Sequence, residues 1–138
     1  MTAQVLDHVN LQTMRLAEMT AFYRDIIGLE DGDRPPFSFG GAWLWCGGRA
    51  AVHLVEIEQP IDPRDPKIEH FAFRCEGLKQ FTERCRDHRV PYYVRVVPLL
   101  NIRQVNVFDP DGNKVEMQFA DSDDPDTDLS PFMMQAPS

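Results

Sequence analysis

The stretch NVFDPDGNKVEMQF, Asn106 to Phe119, decides how this chain is read. Asp109 can bond to backbone two residues on, Pro110 presets φ for the first corner, and Gly112 tolerates the positive φ that closes a tight turn. A β-hairpin is therefore expected. On its return strand Val115, Met117 and Phe119 alternate with Lys114, Glu116 and Gln118, which gives one apolar face and one face carrying Glu116. Taken alone, such a carboxylate is an ordinary solvent-facing residue of a half-exposed strand. The residues upstream give it a different weight.

Working back toward the N-terminus, Val5 to Leu11 alternates as a strand with His8 in its middle, and Asn10 shares the histidine's face. From Arg15 to Ile27 apolar residues recur at three and four, the stripe of an amphipathic helix ended near Gly28. Asp31 to Pro36 reads as a turn region. Ser38 to Cys46 and Ala50 to Ile57 read as two strands joined at Gly47 and Gly48, with His53 in the second. Residues 58–67, with three prolines in ten positions, read as a linker. The pattern then begins again. Ile68 to Arg74 alternates with His70 in its middle, Leu78 to His88 is helical, Val94 to Val97 is a short strand, and Ile102 to Phe108 enters the hairpin.

His8 and His70 lie 62 residues apart, as do Leu16 and Leu78, and His53 and Glu116 lie 63 apart. Four polar residues thus fall at two equivalent points of two equivalent halves, which marks an internal repeat. The organisation expected is a first module over residues 1–57, a linker over 58–67, a second module over 68–119 and an acidic, flexible tail over 120–138, both modules forming one domain. Each histidine alone is compatible with a satisfied, half-buried side chain. As a set, His8, His53, His70 and Glu116 would line a shared concave surface and suit Zn, Ni, Co, Mn or Fe(II), with positions left for substrate. His88 ends a helical pattern beside Arg89 and reads as a helix-terminal residue.

Composition narrows the function classes. The 138-residue chain is long enough for one packed domain or two small fused halves. Its net charge of −8 disfavours nucleic acid and anionic membrane as partners. No apolar run is long enough to span a bilayer, and the segment MTAQVLDHV lacks a basic region followed by an apolar stretch, so a cytoplasmic location is expected. Cys46, Cys75 and Cys85 are an odd number without CxxC spacing and read as reduced thiols.

Five segments, LDHVNL, AFYRDIIGLE, HLVE, IEHFAFR and FDPDGNKVEM, together resemble the vicinal oxygen chelate superfamily over residues 4–119. That superfamily includes glyoxalase I, fosfomycin-resistance thiol transferases, methylmalonyl-CoA epimerase, extradiol dioxygenases and the metal-free bleomycin-resistance binding proteins. The resemblance implies an α+β fold of two tandem βαβββ modules, forming a curved, partly closed mixed sheet with helices outside and a concave metal site. It places metal ligands at His8, His53, His70 and Glu116. Bacterial glyoxalase I carries a glutamate where this chain has His53; with His53 outside the coordination sphere, His8, His70 and Glu116 would form a two-histidine, one-carboxylate triad.

The expected activity is that of a metal-dependent, glyoxalase-like lyase or isomerase acting on a small molecule that chelates through adjacent oxygens, with Glu116 as base. Extradiol ring cleavage and non-catalytic ligand sequestration are the alternatives. Three neutral imidazoles and one carboxylate leave a divalent centre near +1, which favours an anionic substrate. Asn10, Trp43, Trp45, Gln104 and Asn106 are expected to line the substrate pocket, the two tryptophans as a flat wall or else as ordinary packing. A homodimer is expected.

Overall fold

A computed structural model describes Met1, residues 4–60 and residues 70–137. The chain divides into two compact units, Met1–Arg64 and Asp65–Ser138. The first contains β1 (Val9–Thr13), α1 (Leu16–Ala21), β2 (Glu30–Gly32), β3 (Gly41–Cys46) and β4 (Arg49–Glu56). The second contains β5 (His70–Arg74), α2 (Leu78–Asp87), β6 (Tyr93–Val97), β7 (Ile102–Phe108) and β8 (Lys114–Ala120). Each unit is thus one βαβββ module, as the repeat in the sequence requires.

Sheet topology repeats as well, with strand order β1-β4-β3-β2 in one unit and β5-β8-β7-β6 in the other. In both, the first and last strands run parallel while the remaining pairings are antiparallel. The strands form two open four-stranded sheets, not the single partly closed sheet expected, because each module satisfies its ladders among its own strands.

In the first unit Met19, Phe22, Tyr23 and Ile26 from the helical segment are buried, as are Ala42, Leu44, Val52 and Leu54 from the sheet. In the second, Leu78, Phe81 and Cys85 of α2 are buried together with Val105, Val107, Val115, Met117 and Phe119, and the Phe81 and Phe119 rings lie 6.0 Å apart. Burial on this scale is the main stabilising term for each sheet–helix layer. It also pushes the Cys85 thiol up to about 12, which keeps that side chain a packed apolar group.

The expected hairpin forms as read. Asp109 is 4% exposed; its Oδ1 accepts from the backbone N–H groups of Asp111 (3.0 Å) and Asn113 (2.8 Å), and Gly112 takes φ +87°. Other boundaries differ. The first strand begins at Val9, not Val5, and Val5 and Leu6 are exposed, so His8 precedes the strand. The helix expected over Arg15–Ile27 is α-helical only to Ala21 and continues as a π-helical turn over Phe22–Ile26, ending at Gly28 with φ +91°. β2 lies where a turn was expected: three residues without apolar alternation carry no strand signal, and pairing with β3 creates the strand.

The acidic segment after β8 is docked on the second unit, contrary to the flexibility expected from its charge. Asp123 Oδ2 accepts from Gly77 N (2.8 Å) and Asp124 Oδ2 from Lys79 N (3.0 Å), so aspartates distant in sequence satisfy orphan donors at the start of α2. Further on, Phe132 and Tyr92 exchange two backbone hydrogen bonds (3.0 and 2.9 Å), and Arg86 lies over both rings. Composition signals repulsion between the aspartates; it does not show that α2 lacks a capping side chain of its own. Truncation after Ala120 should lower the melting temperature by several degrees, and Asp124→Ala alone should cost about 1 kcal/mol. Thermal and urea unfolding of the two variants check this.

Candidate functional site

The register of each sheet brings the same three positions into one row. In the first unit Asn10 pairs with His53 across the parallel β1–β4 ladder, and His53 pairs with Trp43 across β4–β3. In the second, Ala72 pairs with Glu116 across β5–β8, and Glu116 with Asn106 across β8–β7. His53 and Glu116 are therefore structurally equivalent, each flanked by a residue two places beyond the equivalent histidines His8 and His70.

Glu116 is 5% exposed and lies on the β8 face opposite Val115, Met117 and Phe119. Its Oε1 accepts from Gln104 Nε2 (2.8 Å) and from Gln118 Nε2 (2.7 Å). The other oxygen, Oε2, lies 3.4 Å from His70 Nε2. A carboxylate this buried needs such partners. The two amides fix which oxygen is engaged and which one faces the histidine. Gln104 is thus a partner of Glu116, and Asn106, 1% exposed, lies beside it in the same row. Gln118 had no assigned role in the sequence, although its place two residues after Glu116 on the same strand face is the signal that could have given it one.

In the first unit the rings stack. His8 and His53 have centroids 3.9 Å apart and planes 11° apart, and His53 and Trp43 are 4.0 Å and 8° apart. Asp7 Oδ2 accepts from His8 Nδ1 (2.7 Å) while its Oδ1 accepts from Arg49 Nη1 (2.7 Å). The hydrogen bond from His8, then that from Arg49, holds the Asp7 carboxyl below its usual range. With Nδ1 engaged, His8 presents Nε2 to any outside partner. Burial lowers the His53 pKa first, and neighbouring His8 adds to the shift. A cavity of about 190 Å³ is lined by His8, His53, Asn10, Trp43 and, from the β2–β3 loop, Arg34, Phe37 and Phe39. Trp45 is not among its lining residues: its Nε1 donates to Asp33 O (3.1 Å), and it borders a separate cleft of about 610 Å³ with Glu30, Asp31 and Asp33.

Tested against a divalent ion, the two halves differ. Two donors each about 2.1 Å from a tetrahedral ion stand about 3.4 Å apart, which matches His70 Nε2 and Glu116 Oε2. His8 and His53, stacked face to face, direct their in-plane lone pairs along separate parallel planes, so both can reach one ion only if a ring leaves the stack. Among the described residues no three His, Cys, Asp or Glu side chains form a ready-made ion-binding group.

The chain belongs to the Glyoxalase/Bleomycin resistance protein/Dioxygenase superfamily, whose family model matches residues 5–117. No curated protein matches it in sequence. Among solved structures it is similar to a protein from Bacillus anthracis assigned to the glyoxalase family, at 26% identity and TM-score 0.70, over 86% of this chain and 97% of that one. A lactoylglutathione lyase from Agrobacterium tumefaciens matches at 22% identity and TM-score 0.61, over 85% and 94% of the two chains. A fosfomycin resistance protein from Listeria monocytogenes matches at 19% and 0.68, over 86% and 95%. The latter two likenesses are likenesses of fold. No helix among the described residues is long and apolar enough to cross a membrane.

His53 should titrate below the ordinary histidine range, and NMR pH titration of its ring in metal-free protein measures this. Because its folded-state pKa lies below the unfolded one, its neutral form contributes stability above about pH 6.5. That contribution is lost as pH falls from the unfolded toward the folded value. His53→Phe should flatten this part of the stability profile.

Proposed function

We propose that the protein is a metal-dependent, glyoxalase-like lyase or isomerase acting on a small molecule that chelates through adjacent oxygens. Membership of the superfamily supports the class, and the observation that carries the assignment is the His70–Glu116 pair, whose donor spacing suits a common ion. His70 and Glu116 in the second unit, and His8 and His53 in the first, are the candidate ligands, with His8 acting through Nε2. A divalent ion there supplies Lewis acidity to the substrate's adjacent oxygens.

The protein's own groups divide the remaining work. Glu116 is the candidate base, which would take the proton from the carbon beside the chelating carbonyl and return it to a neighbouring atom. Gln104 and Gln118 keep the carboxylate from rotating, so proton transfer starts from one orientation. Asp7 holds His8 in the tautomer protonated at Nδ1. One observation favours a second reading: His53 is the middle ring of a stack. If it stays there, the candidate ligands reduce to two histidines and one carboxylate, the donor types of a ring-cleaving dioxygenase.

Divalent metal bound only by the native state should raise the melting temperature, and chelator should lower it. Glu116→Gln should keep measurable metal by elemental analysis while turnover of 2-oxoaldehyde–thiol adducts falls about a hundredfold or more. A melting curve unmoved by chelator and by Zn, Ni, Co, Mn and Fe(II) would overturn the assignment. Turnover of catechols in place of the adducts would establish the dioxygenase reading.

A further inference from the structure

The loop between β2 and β3 carries a cation and two rings that the proposed chemistry does not use. Arg34 Nη2 donates to Phe39 O (2.8 Å), and its guanidinium carbon lies 5.0 Å from the Phe37 ring centroid and 5.2 Å from that of Phe39. The two phenylalanines stack on each other at 4.9 Å and 10°, with Phe37 at 6.3 Å from Trp43. No carboxylate among the described residues forms an ion pair with Arg34. Gly41 keeps the space open, since a Cβ there would stand 2.9 Å from Arg34 Nη2 and would strike Leu54 O of the next strand.

A guanidinium braced by one carbonyl and two ring faces retains donors in a planar fork, the arrangement that binds a carboxylate in two-point fashion. Phe37 and Phe39 are 44% and 46% exposed, a costly placement for two stacked rings unless a ligand covers them. The stacked rings of Trp43 and His53 line the same cavity as Arg34, and its volume of about 190 Å³ suits one ring with a short substituent. In a chain of net charge −8, a local cation of this kind favours an anionic ligand at this cavity.

We infer that this cavity of the first unit binds planar, conjugated carboxylates, with Arg34 as the carboxylate receptor and Phe37, Phe39 and Trp43 as the surface for the flat body. As a substrate class, this rests on the function proposed above, because the chelating oxygens would then sit at the His8–His53 end and the carboxylate at the Arg34 end. As a binding site, it stands on the Arg34 loop alone. Arg34 and the two phenylalanines would therefore set specificity without taking part in proton transfer.

Calorimetric titration of the full chain with trans-cinnamate, cinnamyl alcohol and 3-cyclohexylpropionate tests this, once after chelator treatment and once with zinc restored. Cinnamate should bind in both states, while the alcohol, which lacks the charge, and the cyclohexyl acid, which lacks the flat conjugated body, should each bind about tenfold more weakly or worse. Arg34→Gln should weaken cinnamate about tenfold or more, with Arg34→Lys falling between, since it keeps the charge and loses the fork. Phe39→Leu, which leaves Arg34 in place, should weaken cinnamate and the cyclohexyl acid toward a common value. Absence of cinnamate binding, equal binding by Arg34→Gln, or equal affinity for acid and alcohol each overturns the inference. Arg34-dependent binding in a protein that takes up no metal would uphold this site while removing the metal-dependent function.

Discussion

Everything in the site depends on the parallel pairing of the first and last strand of each module. That pairing sets Asn10 beside His53 and Ala72 beside Glu116, and antiparallel neighbours then add Trp43 and Asn106 to the same rows. Side chains alternate strictly along a strand, so a one-residue slip would turn the functional face into the packed face. Register is fixed by burial on the other side: Leu44, Val52 and Leu54 in one unit, and Val105, Val107, Val115, Met117 and Phe119 in the other, admit no alternative phase. The packing of the apolar face thereby aims the polar one.

With that frame common to both units, the residues within it have diverged. Glu116 is a buried carboxylate held by two amides and facing one imidazole. Its counterpart His53 lies between two rings, its charge disfavoured by burial. One half therefore presents a carboxylate in a fixed orientation, the other an aromatic stack that opens on a cavity with a guanidinium at its edge. The two units share one strand geometry and carry different chemical groups on it.

How much of this was legible in the sequence depends on the range of the interaction. The Asp109–Gly112 turn, the helical stripes and the offsets between His8 and His70 rest on local chemistry or on simple counting, and the module order followed from them. β2 was not legible, because a three-residue edge strand takes its conformation from its neighbour. The docked tail was missed for a related reason: its aspartates meet backbone donors of α2 more than forty residues away. Trp43 and Trp45 share a face in the sequence pattern, yet Asp33 O holds Trp45 toward a different cleft. Gln118 and Arg34 are ordinary surface residues by type, and only the partner each meets gives it a role.

In each sheet the strand that pairs with the first is also the last one made. β1 waits for β4, which ends at Glu56, and β5 waits for β8, which ends at Ala120; neither first strand can find its parallel partner until the intervening chain has folded back. Long-range pairings of this kind form slowly, since loop-closure entropy is lost before the ladder compensates it. During synthesis each module therefore passes through a period with an unpaired first strand, and the second remains without its helix cap until the aspartates beyond β8 have emerged. The same connectivity that gives the site its accuracy makes it among the last features of each module to take shape.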